Sequence, residues 1–173
     1  PNSKWKIQAM TSIGDWRYTK DFTSELFDAN NQSIGTGTLY LEDSKVGDAA
    51  QFTSSLNVDY RVRNTTLDIA YRYVDGLYAD YSIVDAVFTQ PDNAGALKLP
   101  SYGLIDAGVT QRFAGHWTFR VNVNNLLDKV YISEAETNIH ADENSTTWNG
   151  IDVRNSVWFG FGRTWNASLK YNF

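Results

Sequence analysis

The chain has 173 residues, a formal net charge of −5, 42% hydrophobic residues and no cysteine. The missing cysteine excludes disulfide frameworks, thiolate metal sites and cysteine nucleophiles together, and with no stripe of Lys or Arg in the sequence a nucleic-acid partner has no electrostatic support. No apolar run approaches the roughly 20 residues of a spanning helix, so a helical membrane protein is excluded too.

The first segment, Trp5 to Trp16, sets Trp5, Ile7, Ala9, Thr11 and Ile13 on one face and Lys6, Gln8, Met10, Ser12 and Gly14 on the other, the period of two expected of a strand. From Thr19 to Ala50 two shorter alternating stretches flank "DANNQ", a turn-rich centre. They read as a hairpin rising beyond a bilayer into a large outer loop; two further spanning strands are the alternative, giving the eight of the smallest common closed barrel. Next, Phe52, Leu56, Val58, Tyr60 and Val62 oppose Thr53, Ser55, Asn57, Asp59 and Arg61, and Leu67, Ile69, Tyr71 and Tyr73 oppose Asp68, Ala70 and Arg72. Ile105, Ala107, Val109 and Phe113 then oppose Asp106, Gly108, Thr110 and Arg112, with Gln111 on the apolar side. Trp117, Phe119, Val121 and Val123 oppose Thr118, Arg120, Asn122 and Asn124. The closing "VWFGFGRTWNASLKYNF" reads as one alternating strand from Val157 to Phe173, broken on its apolar side only by Arg163.

The connections alternate in length: "RNTT" and "AGH" are short, whereas about 20 polar residues follow the third and fifth segments. Short turns at one end and long loops at the other is the layout of an outer-membrane β-barrel. The aromatics, 14% of the chain, suit rings lining a membrane interface, and Trp5, Tyr60, Phe113, Trp117, Tyr171 and Phe173 flank strand ends. A spanning strand of about 9–11 residues counted back from Phe173 ends near Arg163, placing that charge at the interface and not in hydrocarbon. The opposite set, Thr164, Asn166, Ser168, Lys170 and Asn172, is too polar for a dry core and suits a wet lumen. The fold expected is therefore all-β, an antiparallel transmembrane barrel segment of about six spanning strands with long outer loops. A soluble carbohydrate-binding β-sandwich and a complete eight-stranded barrel with a structural or adhesive role are the competing readings.

Catalytic signatures are missing: there is no nucleophile elbow, phosphate loop or paired-acid pattern, and no enzyme activity or cofactor is expected. His116 and His140 have no second histidine at ligand spacing, so no metal site is expected. Asp75, Asp80, Asp85, Asp142 and Glu143 read as solvated loop charges, and "HADEN" lacks the spacing and glycine of a calcium loop. Aromatics in the long loops, Tyr78, Tyr81, Phe88, Trp148 and Trp158, are the candidate ligand contacts, because rings stack on sugars or flat chelators; anchoring in the lipid interface is their competing role.

"LPSYGLIDAGVTQRF", "WTFRVNVNNLLDKVYISEA" and "GFGRTWNASLKYNF" together resemble the last three strands of TonB-dependent outer-membrane receptors, with Asn125-Leu126-Leu127-Asp128-Lys129, Tyr131, Gly162-Arg163-Thr164 and the C-terminal Phe173 the most specific pieces. "GDWRY", "KVGDAAQFTSSLNVDYRV" and "YRYVDGLYADY" resemble segments just upstream in that family. The resemblance implies that residues 1–173 are the C-terminal part of a 22-stranded barrel whose earlier strands and plug domain lie outside this sequence; the opening at Pro1, without a leader pattern, likewise reads as a processed product or a piece of something longer. It implies a Gram-negative outer-membrane importer of a scarce nutrient (ferric siderophore or other chelate, cobalamin or glycan), driven by the TonB protein through an N-terminal region not included here. Other implied partners are outer-membrane lipid, the transported small molecule and the barrel-assembly machinery, which would read Trp165, Leu169, Tyr171 and Phe173. The C-terminus would lie on the periplasmic side.

Overall fold

The computed structural model describes residues 4–81 and 86–173. Its strands are β1 (Trp5–Ile13), β2 (Phe22–Phe27), β3 (Ser33–Leu39), β4 (Phe52–Val62), β5 (Thr65–Asp75), β6 (Tyr102–Phe113), β7 (Trp117–Asn124), β8 (Ile132–Ala135), β9 (Thr147–Trp148), β10 (Ile151–Asp152), β11 (Val157–Phe159) and β12 (Thr164–Tyr171). A short 3-10 turn, Ala86–Thr89, precedes β6. Among the described residues no helix is long and apolar enough to cross a membrane.

Six of the strands form one antiparallel sheet in the order β1-β4-β5-β6-β7-β12. Because β1 pairs directly with β4 while β2 and β3 pair only with each other, residues 19–50 do not supply two further members of this sheet. The hairpin reading holds, and the eight-stranded count does not. Both outer strands of the sheet keep an unpaired edge, so the barrel is not closed within this chain.

Register explains why the sheet is two-faced. A one-residue slip would move every side chain to the other face, yet the apolar set stays in line across all six strands: Ile7, Val58, Ile69, Ala107, Val123 and Trp165 form one row. The next row toward the short turns is Trp5, Tyr60, Leu67, Val109, Val121 and Ala167. None of these side chains is buried, and several are exposed, Ile69 at 49% and Trp165 at 74%. The polar set lines a single concavity running from β1 to β12, with Gln8, Asp59, Asp68, Arg120, Asn122 and Asn166 among its walls. The sheet therefore curls toward its polar side and bows its apolar side outward, as a wet-lumen barrel requires. Gln111, on the apolar face, is satisfied by its cross-strand neighbour: Thr65 Oγ1 donates to its Oε1 at 2.6 Å.

Apart from Leu104 in β6, the buried hydrophobic residues lie in the long connections and not in the sheet. Leu77, Ala79, Leu97, Leu99, Ile132, Ala135 and Ile151 form one cluster, and Leu39, Leu41 and Phe88 a second. The three connections 14–51, 76–101 and 125–163 are tied to one another: Asp48 N donates to Tyr78 O (3.1 Å), Asp80 N to Ala135 O (2.8 Å) and Tyr40 N to Phe88 O (2.8 Å). Gly47 is required at one of these crossings, because a Cβ there would collide with the Asp80 backbone.

The closing alternation misleads at one place. Residues 157–173 are not one strand: β11 pairs with β8 in a separate two-stranded sheet with a register shift after Trp158, and the spanning strand begins only at Thr164. The break is fixed where Gly160 N donates to Tyr131 O (3.0 Å) and Arg163 N to Asp128 Oδ1 (2.7 Å). A Cβ at Gly160 would overlap the Tyr131 ring, which is why the chain can turn there against that side chain.

Candidate functional site: the inner face and the loop layer

Two surfaces could meet a ligand or partner, the concave inner face of the sheet and the layer of long connections above it. On the inner face, charged and amide side chains form a ladder. Arg72 donates to Asp106 Oδ2 (2.9 Å), and Arg120 lies 3.6 Å from Asp68 Oδ2 while its Nε donates to Asn122 Oδ1 (2.7 Å). Asn122 in turn donates to Asn166 Oδ1 (3.0 Å). Gly108 lies between Asp68 and Asn122 in register, and a Cβ there would strike both side chains, so the ladder depends on that glycine.

At the rim of this face, Asn125 (4% exposed) closes the turn after β7. Its amide donates to Lys129 O (2.9 Å) and Phe161 O (3.2 Å), its Oδ1 accepts from Lys129 N (2.9 Å), and its own N–H donates to Asp106 Oδ1 (2.8 Å). Asn125 and Asp128 both hold positive φ, 48° and 54°, a conformation Asn and Asp tolerate better than most residues. The "NNLLDK" and "GRT" pieces, 35 residues apart, thus form one clasp.

In the loop layer, asparagines replace regular pairing. Asn138 is fully buried, its Oδ1 accepting from Leu97 N (2.7 Å) and its amide donating to Asp80 O (2.8 Å). Asn155 bridges Ile139 through both backbone groups (2.9 and 2.8 Å). The guanidinium of Arg154, gripping Asp152 at 2.6 and 2.9 Å, holds that buried carboxyl well below the usual carboxylate range, helped by the Ser145 hydroxyl and the Arg154 N–H. Asp48 is shifted the other way, upward, by burial first and then by Glu134 and Asp80. Sequence reasoning missed these residues, since polar loop residues that are buried look like polar loop residues that are solvated.

The aromatic candidates separate. Tyr81 meets Tyr18 (5.5 Å between ring centroids) and Phe88 (6.2 Å), but Phe88 itself is 1% exposed and belongs to the loop core. Tyr18 was not singled out from sequence; burial pushes its phenol up to about 12. Tyr78 bridges to Lys98, and Trp148 packs on the larger core cluster and edge-on against Phe159 (5.2 Å). Trp158, 45% exposed, stands apart from it, opposite Glu134. Among the described residues no group of His, Asp and Glu is arranged to hold a metal; His140 contacts Gly95 O and His116 contacts Asn172 O. Asp142 caps its own turn through Asn144 N and Ser145. Asp85 lies outside the described residues. Of the terminal set, Trp165, Leu169 and Phe173 are exposed on the outward face, and Tyr171 packs with Trp117 (4.7 Å) and Phe173 (5.1 Å) at the short-turn end.

A continuous apolar outer face, a polar concave inner face and loops segregated to one end define a segment of an outer-membrane β-barrel. Residues 3–126 match the model of the family described as TonB dependent receptor-like, beta-barrel, and the chain belongs to that family, one of transporters and not of enzymes. Among solved structures, the siderophore receptor PiuA from Acinetobacter baumannii aligns with a TM-score of 0.63 and 19% identity over 98% of this chain and 20% of its own. The ferric-catecholate import receptor Fiu from E. coli K12 aligns at 0.57 and 14% identity over 99% and 19%, and the copper transporter OprC at 0.56 and 13% over 99% and 21%. At these identities the likeness is one of fold. The chain spans about a fifth of the length of each. No curated protein matches the sequence.

Proposed function

We propose that residues 1–173 form the C-terminal strands of a 22-stranded outer-membrane receptor that imports a scarce nutrient, a ferric siderophore or related metal chelate, using energy delivered by TonB to a plug outside this sequence. The observation that carries the reading is the register that aligns two apolar outward rows across all six strands, Ile7 to Trp165 and Trp5 to Ala167, over an inward face lined mainly by polar and charged residues. The long loops then face the exterior and the short turns, with Phe173, the periplasm. Exposed Trp165, Leu169 and Phe173 leave β12 available for strand addition by the assembly machinery before closure. Siderophore, ferric-catecholate and copper receptors share the fold, which favours a metal chelate over cobalamin or a glycan. Tyr78, Tyr81, Trp148 and Trp158 are the candidate loop aromatics with surface left for such a ligand.

The test is uptake of iron-55 from a ferric catecholate by cells whose only such receptor is the full-length protein. Uptake that vanishes when TonB is deleted supports the reading; uptake unchanged by that deletion, or none above receptor-free cells, overturns it.

A further inference from the structure

A strand of period two can slip by two residues without exchanging its faces, because only an odd shift turns the apolar set inward. β12 is open to that error: all eight of its residues are exposed, and among the described residues it pairs only with β7. Thr164 stands opposite Asn124 and Tyr171 opposite Trp117. Sliding β12 by two residues toward the long connections would set Ala167 opposite Val123, Leu169 opposite Val121 and Tyr171 opposite Phe119, apolar against apolar. Asn166 would come opposite Asn124, amide against amide. Lys170 would meet Arg120, and Asp68 beside Arg120 offsets part of that repulsion. The side-chain pattern therefore accepts both registers.

Backbone hydrogen bonds do not choose between them, because every residue of β12 offers the same N–H and C=O. Asp128 does. Its Oδ1 accepts from the N–H of Arg163 at 2.7 Å, and its Oδ2 lies 3.7 Å from the guanidinium of the same residue, so it reads a backbone position and a side chain together. After a two-residue slide the N–H at that place would belong to Trp165, which brings no cation. Asp128 is itself fixed, with a φ of 54° and its N–H donating to Asn125 O at 2.8 Å. Asn125 is buried and donates its own N–H to Asp106 of β6. The carboxylate is thus anchored to β6 and β7, and what it recognises is the entry to β12. At the far end Asn172 N donates to His116 O (2.9 Å), in the same register.

We infer that Asp128 sets the register of β12 against β7 by recognising Arg163 at the start of the strand. This rests on the reading of the chain as part of a closed barrel. The register matters for closure, because β12 carries an unpaired edge and the tilt and diameter of a barrel follow from the registers of its strands. A two-residue error in β12 would pass to whichever strand pairs with that edge.

The experiment reads the register in the full-length receptor folded in membranes, with heat-shifted gel migration selecting the folded fraction and mass spectrometry identifying each disulfide. Thr118→Cys with Lys170→Cys reports the observed register, in which these residues are partners, and Thr118→Cys with Asn172→Cys reports the slipped one. Without further change the first disulfide should form in large excess over the second. Asp128→Ala should raise the ratio of second to first roughly fivefold or more, the change expected from losing one hydrogen bond to a charged group. Asp128→Asn, which keeps an acceptor for the Arg163 N–H, and Arg163→Gln, which keeps that N–H, should each raise it less. Equal ratios in all four proteins would overturn the inference while leaving the barrel reading intact, as would a ratio near one before either residue is changed. If Asp128→Ala leaves no folded fraction, Arg163→Gln decides: a raised ratio supports the inference and an unchanged one overturns it. A receptor that forms neither disulfide and shows no heat-shifted band removes the barrel reading itself.

Discussion

The backbone N–H of Arg163 donates to Asp128 Oδ1 at 2.7 Å, and its guanidinium lies 3.7 Å from Asp128 Oδ2. The arginine that interrupts the apolar side of the terminal sequence is therefore held by a carboxylate at the rim, at the residue before β12 begins. Asp128→Ala should free the start of β12 at a cost of about 1 kcal/mol, most of it the backbone bond because the ion pair is exposed. Limited trypsin digestion of the whole receptor should then cut faster after Lys129 and Arg163; an unchanged rate would show that the clasp is ornamental.

Leu169 stands on the outward face opposite Phe119 and Ser168 on the inward face opposite Arg120. Arginine at 169 should cost about 2–4 kcal/mol of membrane stability near mid-depth, whereas arginine at 168 should cost far less because it points into the lumen. Urea titration of the receptor refolded into vesicles measures both; equal losses would refute the assignment of faces.

Asp152 and Asp48 should respond oppositely to pH. The Asp152 carboxyl is depressed in the fold by Arg154, so its contribution is present above the ordinary carboxylate range and is lost only as pH falls through its depressed folded value. Asp48 is raised by burial, so its protonated form suits the fold, and its contribution fades as pH climbs through that raised value. At neutral pH, Asp48→Asn should slow hydrogen exchange in the loop layer and Asp152→Asn should speed it. Both moving in the same direction would contradict the two environments.

Tyr18 adds an alkaline limit. With its phenol pushed up to about 12 by burial against an ordinary value near 10, the buried neutral ring stabilises the layer fully below the ordinary value and loses that contribution as pH rises toward 12. Alkaline titration of tyrosinate absorbance should lose part of its latest-titrating amplitude in Tyr18→Phe; an unchanged late amplitude would contradict the desolvated setting of that phenol.

Much of the sheet was legible because lipid and lumen impose opposite demands on adjacent residues. β4 runs Phe52–Val62 as its alternation requires, while β5 extends two residues beyond each end of its apolar stretch, at Thr65 and Asp75, since hydrogen bonding continues after the hydrophobic pattern fades. β1 ends at Ile13, short of Trp16, where Gly14 N turns to Gln51 O. Alternation through "VWFGFGRTW" concealed a change of sheet, because β11 and β12 are both extended and period two cannot say which partner a strand pairs with. The loop layer was illegible for a different reason. Asn138, Asn155 and Asp152 act through backbone groups 16 to 58 residues away or through a buried ion pair.

The most direct test is which way adjacent residues of β5 face. Ile69 belongs to an outward apolar row and Ala70 to an inward row, and residues 1–173 contribute no cysteine of their own. In the full-length receptor reconstituted in vesicles, a fluorophore on Ile69→Cys should be quenched by brominated lipid and shielded from iodide, and one on Ala70→Cys should show the reverse. Equal quenching at the two positions, or the opposite assignment, would contradict a sheet with lipid on one face and a wet lumen on the other.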